Sequence, residues 1–106
     1  AQRNFERVLR VGELSLDTAS RQVHRSAQPI KLDRKGFALL ELLMKQWPDV
    51  VSHEDLNHAL WGDEPPDSAA LKSHIYRLRQ AVDGPFDSPM IRNVAGTGYT
   101  LVTDAQ

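Results

Sequence analysis

An α+β domain, with four short antiparallel strands, three helices and a closing β-hairpin, is predicted by three patterns in this 106-residue chain. Apolar and polar residues alternate between Val8 and Leu32, apolar residues recur at helical spacing in three later segments, and a glycine-containing turn divides two strand-like runs near the end. Strands first and helices after them imply an antiparallel sheet with helices covering one face.

The alternation resolves into runs Val8 to Val11, Glu13 to Leu16, Gln22 to His24 and Pro29 to Leu32, with Gly12, Asp17 to Ser20 and Arg25 to Gln28 as turns. Asp33 stands where an N-cap belongs, ahead of a helix whose apolar positions are Phe37, Leu40, Leu43 and Met44 and which stops at Pro48. Val50 and Val51 allow only one strand-like step. Ser52-His-Glu-Asp55 has the form of a capping box, starting a helix to about Trp61 with Leu56, Ala59 and Leu60 apolar. Gly62 and the pair Pro65-Pro66 end it, leaving an acidic loop over residues 62 to 67. From about Ser68 to Val82 a third helix repeats Leu71, Ile75, Leu78 and Val82, and places Lys72, Ser73, Tyr76, Arg77 and Gln80 on the opposite side. The hairpin spans Met90 to Val102 and turns at Ala95 to Gly98, where Gly96 and Gly98 permit positive φ angles.

Composition narrows the function classes. There is no apolar run long enough to span a membrane, and with no cysteine there is neither a disulfide framework nor a thiol metal site, which favours the cytoplasm. Net charge is −1, an unpromising total for a nucleic-acid binder, but it is unevenly distributed. From Gln46 to Leu71 there are six acidic residues and no Lys or Arg, whereas Lys72 to Arg79 holds three cations and no acid. An enzyme is not expected. His53-Glu-Asp-Leu-Asn-His58 superficially resembles a zinc-protease motif, yet its histidines are five residues apart, roughly 140° around a helix, and do not share a face. Neither a metal nor a cofactor is predicted. Ala1 to Glu6 reads as a linker remnant before a domain of residues 7 to 103.

The element order is that of a helix-turn-helix domain with a wing. Phe37-Ala-Leu-Leu-Glu-Leu-Leu43, Val51-Ser-His-Glu-Asp-Leu56, Trp61-Gly62, His74-Ile-Tyr-Arg-Leu-Arg79, Ile91-Arg92 and Gly96-Thr-Gly-Tyr99 follow one another in the order and spacing of one family. On these blocks, which cover nearly all of residues 8 to 102, the chain resembles the C-terminal effector domain of OmpR/PhoB-type two-component response regulators.

The resemblance implies sequence-specific binding of double-stranded DNA, with the third helix in the major groove. Ser73 and Arg77 would face the bases, the Arg77 fork being matched to guanine O6 and N7, while His74, Tyr76 and Arg79 would lie nearer the sugar-phosphate walls. Lys72 stands where the family often has Asp. Arg92, Asn93, Thr97 and Tyr99 would be the wing's contacts, Tyr99 packing its ring while its hydroxyl reaches a phosphate. His53 fills a place that often holds Arg or Lys at a helix N-terminus, and Trp61 would pack on the third helix, either with its indole N–H free for a phosphate or as a pure core residue. Two family cations are missing, at Ala95 in the wing tip and at Thr100. By the same resemblance, Asp63, Glu64 and Asp67 would form an RNA polymerase contact loop, a receiver domain would precede the chain, and binding would be as a dimer on repeated half-sites. The missing cations leave a second reading, a winged-helix module that binds proteins and has lost DNA.

Overall fold

Residues 8 to 30 fold as a meander because its strands bury Val11, Leu14, Leu16, Val23 and Ile30 on one shared face. The computed structural model describes residues 7–62 and 69–103, so residues 1 to 6, with the predicted linker, and the acidic loop carrying Asp63, Glu64 and Asp67 lie outside the described residues. Strands β1 (Val8–Val11), β2 (Leu14–Asp17), β3 (Val23–Arg25) and β4 (Gln28–Ile30) form an antiparallel sheet in sequence order. Val11 pairs with Leu14 across a tight turn in which Gly12 takes φ +55°. Leu14 and Leu16 point inward with Ser15 between them, and Val23 and Arg25 point inward with His24 between them.

Helix α1 (Arg34–Gln46) is the packing centre, touching β1 and both other helices as well as two later strands. Asp33 caps it as predicted, its carboxylate accepting from the Gly36 N–H at 2.7 Å. Besides the four predicted positions, Gly36 and Leu39 are buried on it. Helix α2 (His53–Trp61) starts at the predicted cap, where the Ser52 hydroxyl accepts from the Asp55 N–H at 3.0 Å, and Gly62 ends it with φ +67°. Leu56 and Leu60 are its buried residues, while the apolar Ala59 is exposed.

Helix α3 (Ala69–Val82) buries Leu71, Ile75, Leu78 and Val82, the predicted stripe; its predicted first residue, Ser68, lies outside the described residues. Each such apolar side chain removed from water contributes about 1.5–3 kcal/mol, so the stripe fixes which side of α3 remains exposed. Strands β6 (Ile91–Val94) and β7 (Gly98–Leu101) form the hairpin, and the Thr97 N–H closes its turn on the Val94 carbonyl at 3.0 Å.

Two features depart from expectation. The two residues of β5 (Val51–Ser52) pair with Tyr99 and Gly98, making a three-stranded sheet in the order β5-β7-β6. Gly98 also has a different reason from the predicted one: only Gly96, at φ +76°, has a positive φ at the tip. A Cβ on Gly98 would stand 1.8 Å from the Val51 carbonyl oxygen, so glycine is required by the approach of β5.

Candidate nucleic-acid interface

Four turns of α3, buried along one stripe, leave the opposite side with Lys72, Ser73, Tyr76, Arg77 and Gln80 exposed. Tyr76 is 64% exposed, an unusual placement for an aromatic side chain. Within the described part of α3 there is no acidic residue to oppose its cations. The face presents hydrogen-bond donors, a hydroxyl, a phenol and two full positive charges, the chemistry that reads base edges and phosphates together.

The flanks of this face are less available than the sequence implies. His74 is half-buried, its ring 5.6 Å from that of Trp61, and its Nδ1 lies 2.8 Å from Arg77 Nη2. Burial holds the His74 imidazole below its ordinary pKa of 6.5, the Arg77 and Lys35 charges act in the same direction, and Asp33 opposes them. Arg79 is half-buried and its Nε is enclosed without a hydrogen-bond partner among the described residues. Of the two readings for Trp61, the structure favours the packed one: its indole N–H is buried and unpartnered among the described residues. The Lys35 ammonium instead lies over the indole ring, 4.1 Å from its centroid. Nothing in the sequence pattern singled out Lys35, because its role depends on α1 passing the end of α2.

In the hairpin, Arg92, Asn93, Ala95, Gly96 and Thr97 are exposed. Tyr99 is 7% exposed and meets the His53 ring edge-on at 5.7 Å, so most of its surface is used in packing. Thr100 is buried, its hydroxyl donating to the Asp49 carbonyl at 3.0 Å, and this position does not face solvent beside the wing tip. His53 is exposed at the start of α2, but the helix end there is not an open anion site. Its own N–H donates to the Thr97 carbonyl at 3.2 Å, the Asp55 N–H is capped by Ser52, and Glu54 and Asp55 occupy the first turn.

The residue that sequence reading missed most completely is Arg25. Assigned to a turn, it is 1% exposed, and its guanidinium joins the first sheet to the end of α3 and the segment leading into the hairpin. The period-2 pattern that buries Val23 was the available signal.

The family model described as "Transcriptional regulatory protein, C terminal" matches residues 27–101. The chain is 36% identical over 95 residues to the phosphate regulon transcriptional regulatory protein PhoB of Rhizobium meliloti, covering 89% of this chain and 42% of the relative. It is also 36% identical over 101 residues to the transcriptional regulatory protein TrcR of Mycobacterium tuberculosis, covering 94% of this chain and 39% of the relative. The chain thus spans about two fifths of the length of these curated relatives. Among solved structures, the DNA binding domain of CpxR from E. coli superposes with a TM-score of 0.76 at 30% identity, over 92% of this chain and 98% of that domain.

Proposed function

The chain belongs to the family of transcriptional regulatory protein C-terminal domains, and from that membership we propose that it binds duplex DNA sequence-specifically as the output domain of an OmpR/PhoB-type response regulator. One observation carries the reading: the α3 face opposite Leu71, Ile75, Leu78 and Val82 is an exposed row of Lys72, Ser73, Tyr76 and Arg77. Arg77 and Ser73 read bases in the major groove. Lys72 and Tyr76 extend the contact along the walls, with His74 and Arg79 backing them. Arg92, Asn93 and Thr97 contact the sugar-phosphate backbone from the wing. Tyr99 supports them from beneath, His53 lies beside that contact, and Trp61 backs α3 from α2.

A two-component receiver domain preceding the chain, a second copy on a repeated half-site, and RNA polymerase met by Asp63, Glu64 and Asp67 complete the proposed partners. The proposed compartment is the cytoplasm, and no helix among the described residues is long and apolar enough to cross a membrane. The domain performs no catalysis in this reading.

Selection from a random duplex pool, followed by titration at several salt concentrations, tests the proposal: an enriched site should emerge, with affinity falling as salt rises. A chain that leaves all duplexes free at low salt is not a DNA-binding domain. On the selected site, Arg77→Ala should cost about 1–3 kcal/mol and relax preference at one base pair. Equal losses on selected and random DNA would reduce Arg77 to a phosphate contact.

The wing carries a second expectation. Ala95 is exposed at the tip and uncharged, so Ala95→Arg should tighten binding, most strongly on sites with narrow A·T-rich flanks. Affinity unchanged across flanks of different groove width would show that the tip stays clear of the minor groove.

A further inference from the structure

The contact between His74 and Arg77 fixes a protonation state. A guanidinium has only donors, so the 2.8 Å approach of Arg77 Nη2 to His74 Nδ1 requires that nitrogen to be an acceptor. The imidazole is therefore neutral, with its proton on Nε2. The ring is also held from behind: Trp61 lies 5.6 Å away at 57°, and Lys35 lies over the indole in turn. Residues three apart on a helix share a face, so His74 reaches the Arg77 head group without distorting α3.

We propose that His74 is a positioning residue: its neutral ring, braced by Trp61, holds the Arg77 guanidinium in one orientation on the exposed face of α3 and thereby sets base discrimination. The inference rests on the DNA-binding reading above and deepens it. One guanidinium N–H is engaged by His74, and the others remain to form a bidentate pair with a base edge. A free arginine must lose its rotamer freedom on binding, whereas one already held in place loses less, and that difference acts only where geometry matters. Phosphate attraction tolerates many arginine rotamers. Bidentate base reading does not.

The groups facing His74 are Arg77 on its own helix, Asp33 at the N-cap of α1 and Lys35 within α1, and Lys31 lines the same cleft. Protonation would place a hydrogen on Nδ1 against the guanidinium, so the bond is present above the folded-state pKa of His74 and is lost as pH falls through it. That value lies below the ordinary 6.5, because burial and the two nearby cations outweigh Asp33.

The test compares the ratio of affinities for the selected site and random duplex in three variants. His74→Leu keeps bulk but removes the acceptor, and should lower the ratio about five- to tenfold. His74→Asn, whose amide oxygen can stand near the position of Nδ1, should restore most of the ratio. On acidification the wild-type ratio should fall and that of His74→Asn should stay flat. In an Arg77→Ala background, His74→Leu should add nothing.

Using a ratio removes any effect of a partly unfolded preparation. Equal weakening on both DNAs by His74→Leu would make His74 a phosphate contact and overturn the proposal. So would an unchanged ratio, with His74 then only packing on Trp61. If Arg77→Ala itself leaves the ratio intact, the base-reading assignment of Arg77 fails first, and the result is distinguishable from failure of His74 alone.

Discussion

Arg25→Ala should destabilise the domain by about 3–5 kcal/mol, the scale seen when one member of a buried ion pair is removed. The side chain is 1% exposed at the end of β3. Its Nε donates to Glu13 Oε1 at 2.9 Å, its Nη1 to the Val82 carbonyl at 2.9 Å and to Asp83 Oδ1 at 3.3 Å, and its Nη2 to the Ser88 carbonyl. The Phe86 ring lies 4.5 Å beneath the guanidinium. Asp83 is itself a junction, since its carboxylate accepts from the Met90 N–H at 2.9 Å and the Ile91 N–H at 3.2 Å. Alanine would leave Asp83 and the Val82 and Ser88 carbonyls without this donor, and the orphaned groups, more than the lost attraction, set the cost.

A domain of this size has a total stability of roughly 5–15 kcal/mol, so the variant should unfold at a much lower urea concentration. Asp83→Ala and the double variant complete the cycle. Strong coupling is expected, with the double variant less destabilised than the sum of the singles. A loss below about 1 kcal/mol, the range of exposed ion pairs, would show that solvent reaches the site and that Arg25 is not the tie between the first sheet and α3.

Gly98→Ala should have an effect of similar size through a different mechanism. The added methyl would stand 1.8 Å from the Val51 carbonyl oxygen, 2.7 Å from its carbon and 2.9 Å from Ser52 Cα. All three are backbone atoms, so no side-chain rotation relieves the overlap. Overpacking typically costs 1–3 kcal/mol, and here about 3 kcal/mol or more is expected because β5 must leave β7. The loss should spread to binding, since β5 runs directly into α2 and Ser52 is its cap.

Gly96→Ala is the control. Among the described residues nothing lies within 4 Å of its Cβ position, and the positive φ of +76° is what opposes substitution, so about 1 kcal/mol is expected. Urea midpoints of the two variants decide the matter: equal losses would mean that Gly98, like Gly96, serves only the turn. Preserved amide protection at His53 in Gly98→Ala would likewise show that β5 stays paired, because that N–H bonds to the Thr97 carbonyl.

What could be read from the sequence alone is what short-range physics decides. The α3 stripe, the Asp33 and Ser52 caps, the Gly62 stop and the hairpin turn each depend on residues within a few positions of one another, and periodicity and capping chemistry report them directly. The exposed α3 face follows, because burying one stripe leaves the other side to solvent. Tertiary structure alone decided the rest. Strand alternation could put Arg25 on the inward face with Val23, but whether a charge there is tolerated depends on partners at Val82 and Ser88, 57 and 63 positions away, which no local pattern reveals. Val51 and Ser52 become a strand, and Gly98 obligatory, only because the hairpin returns beside them. Whether the Trp61 indole N–H is exposed, and whether position 100 faces solvent, are properties of what packs over them. His74 joins both levels: its spacing from Arg77 is local, and the burial against Trp61 that favours its neutral form is not.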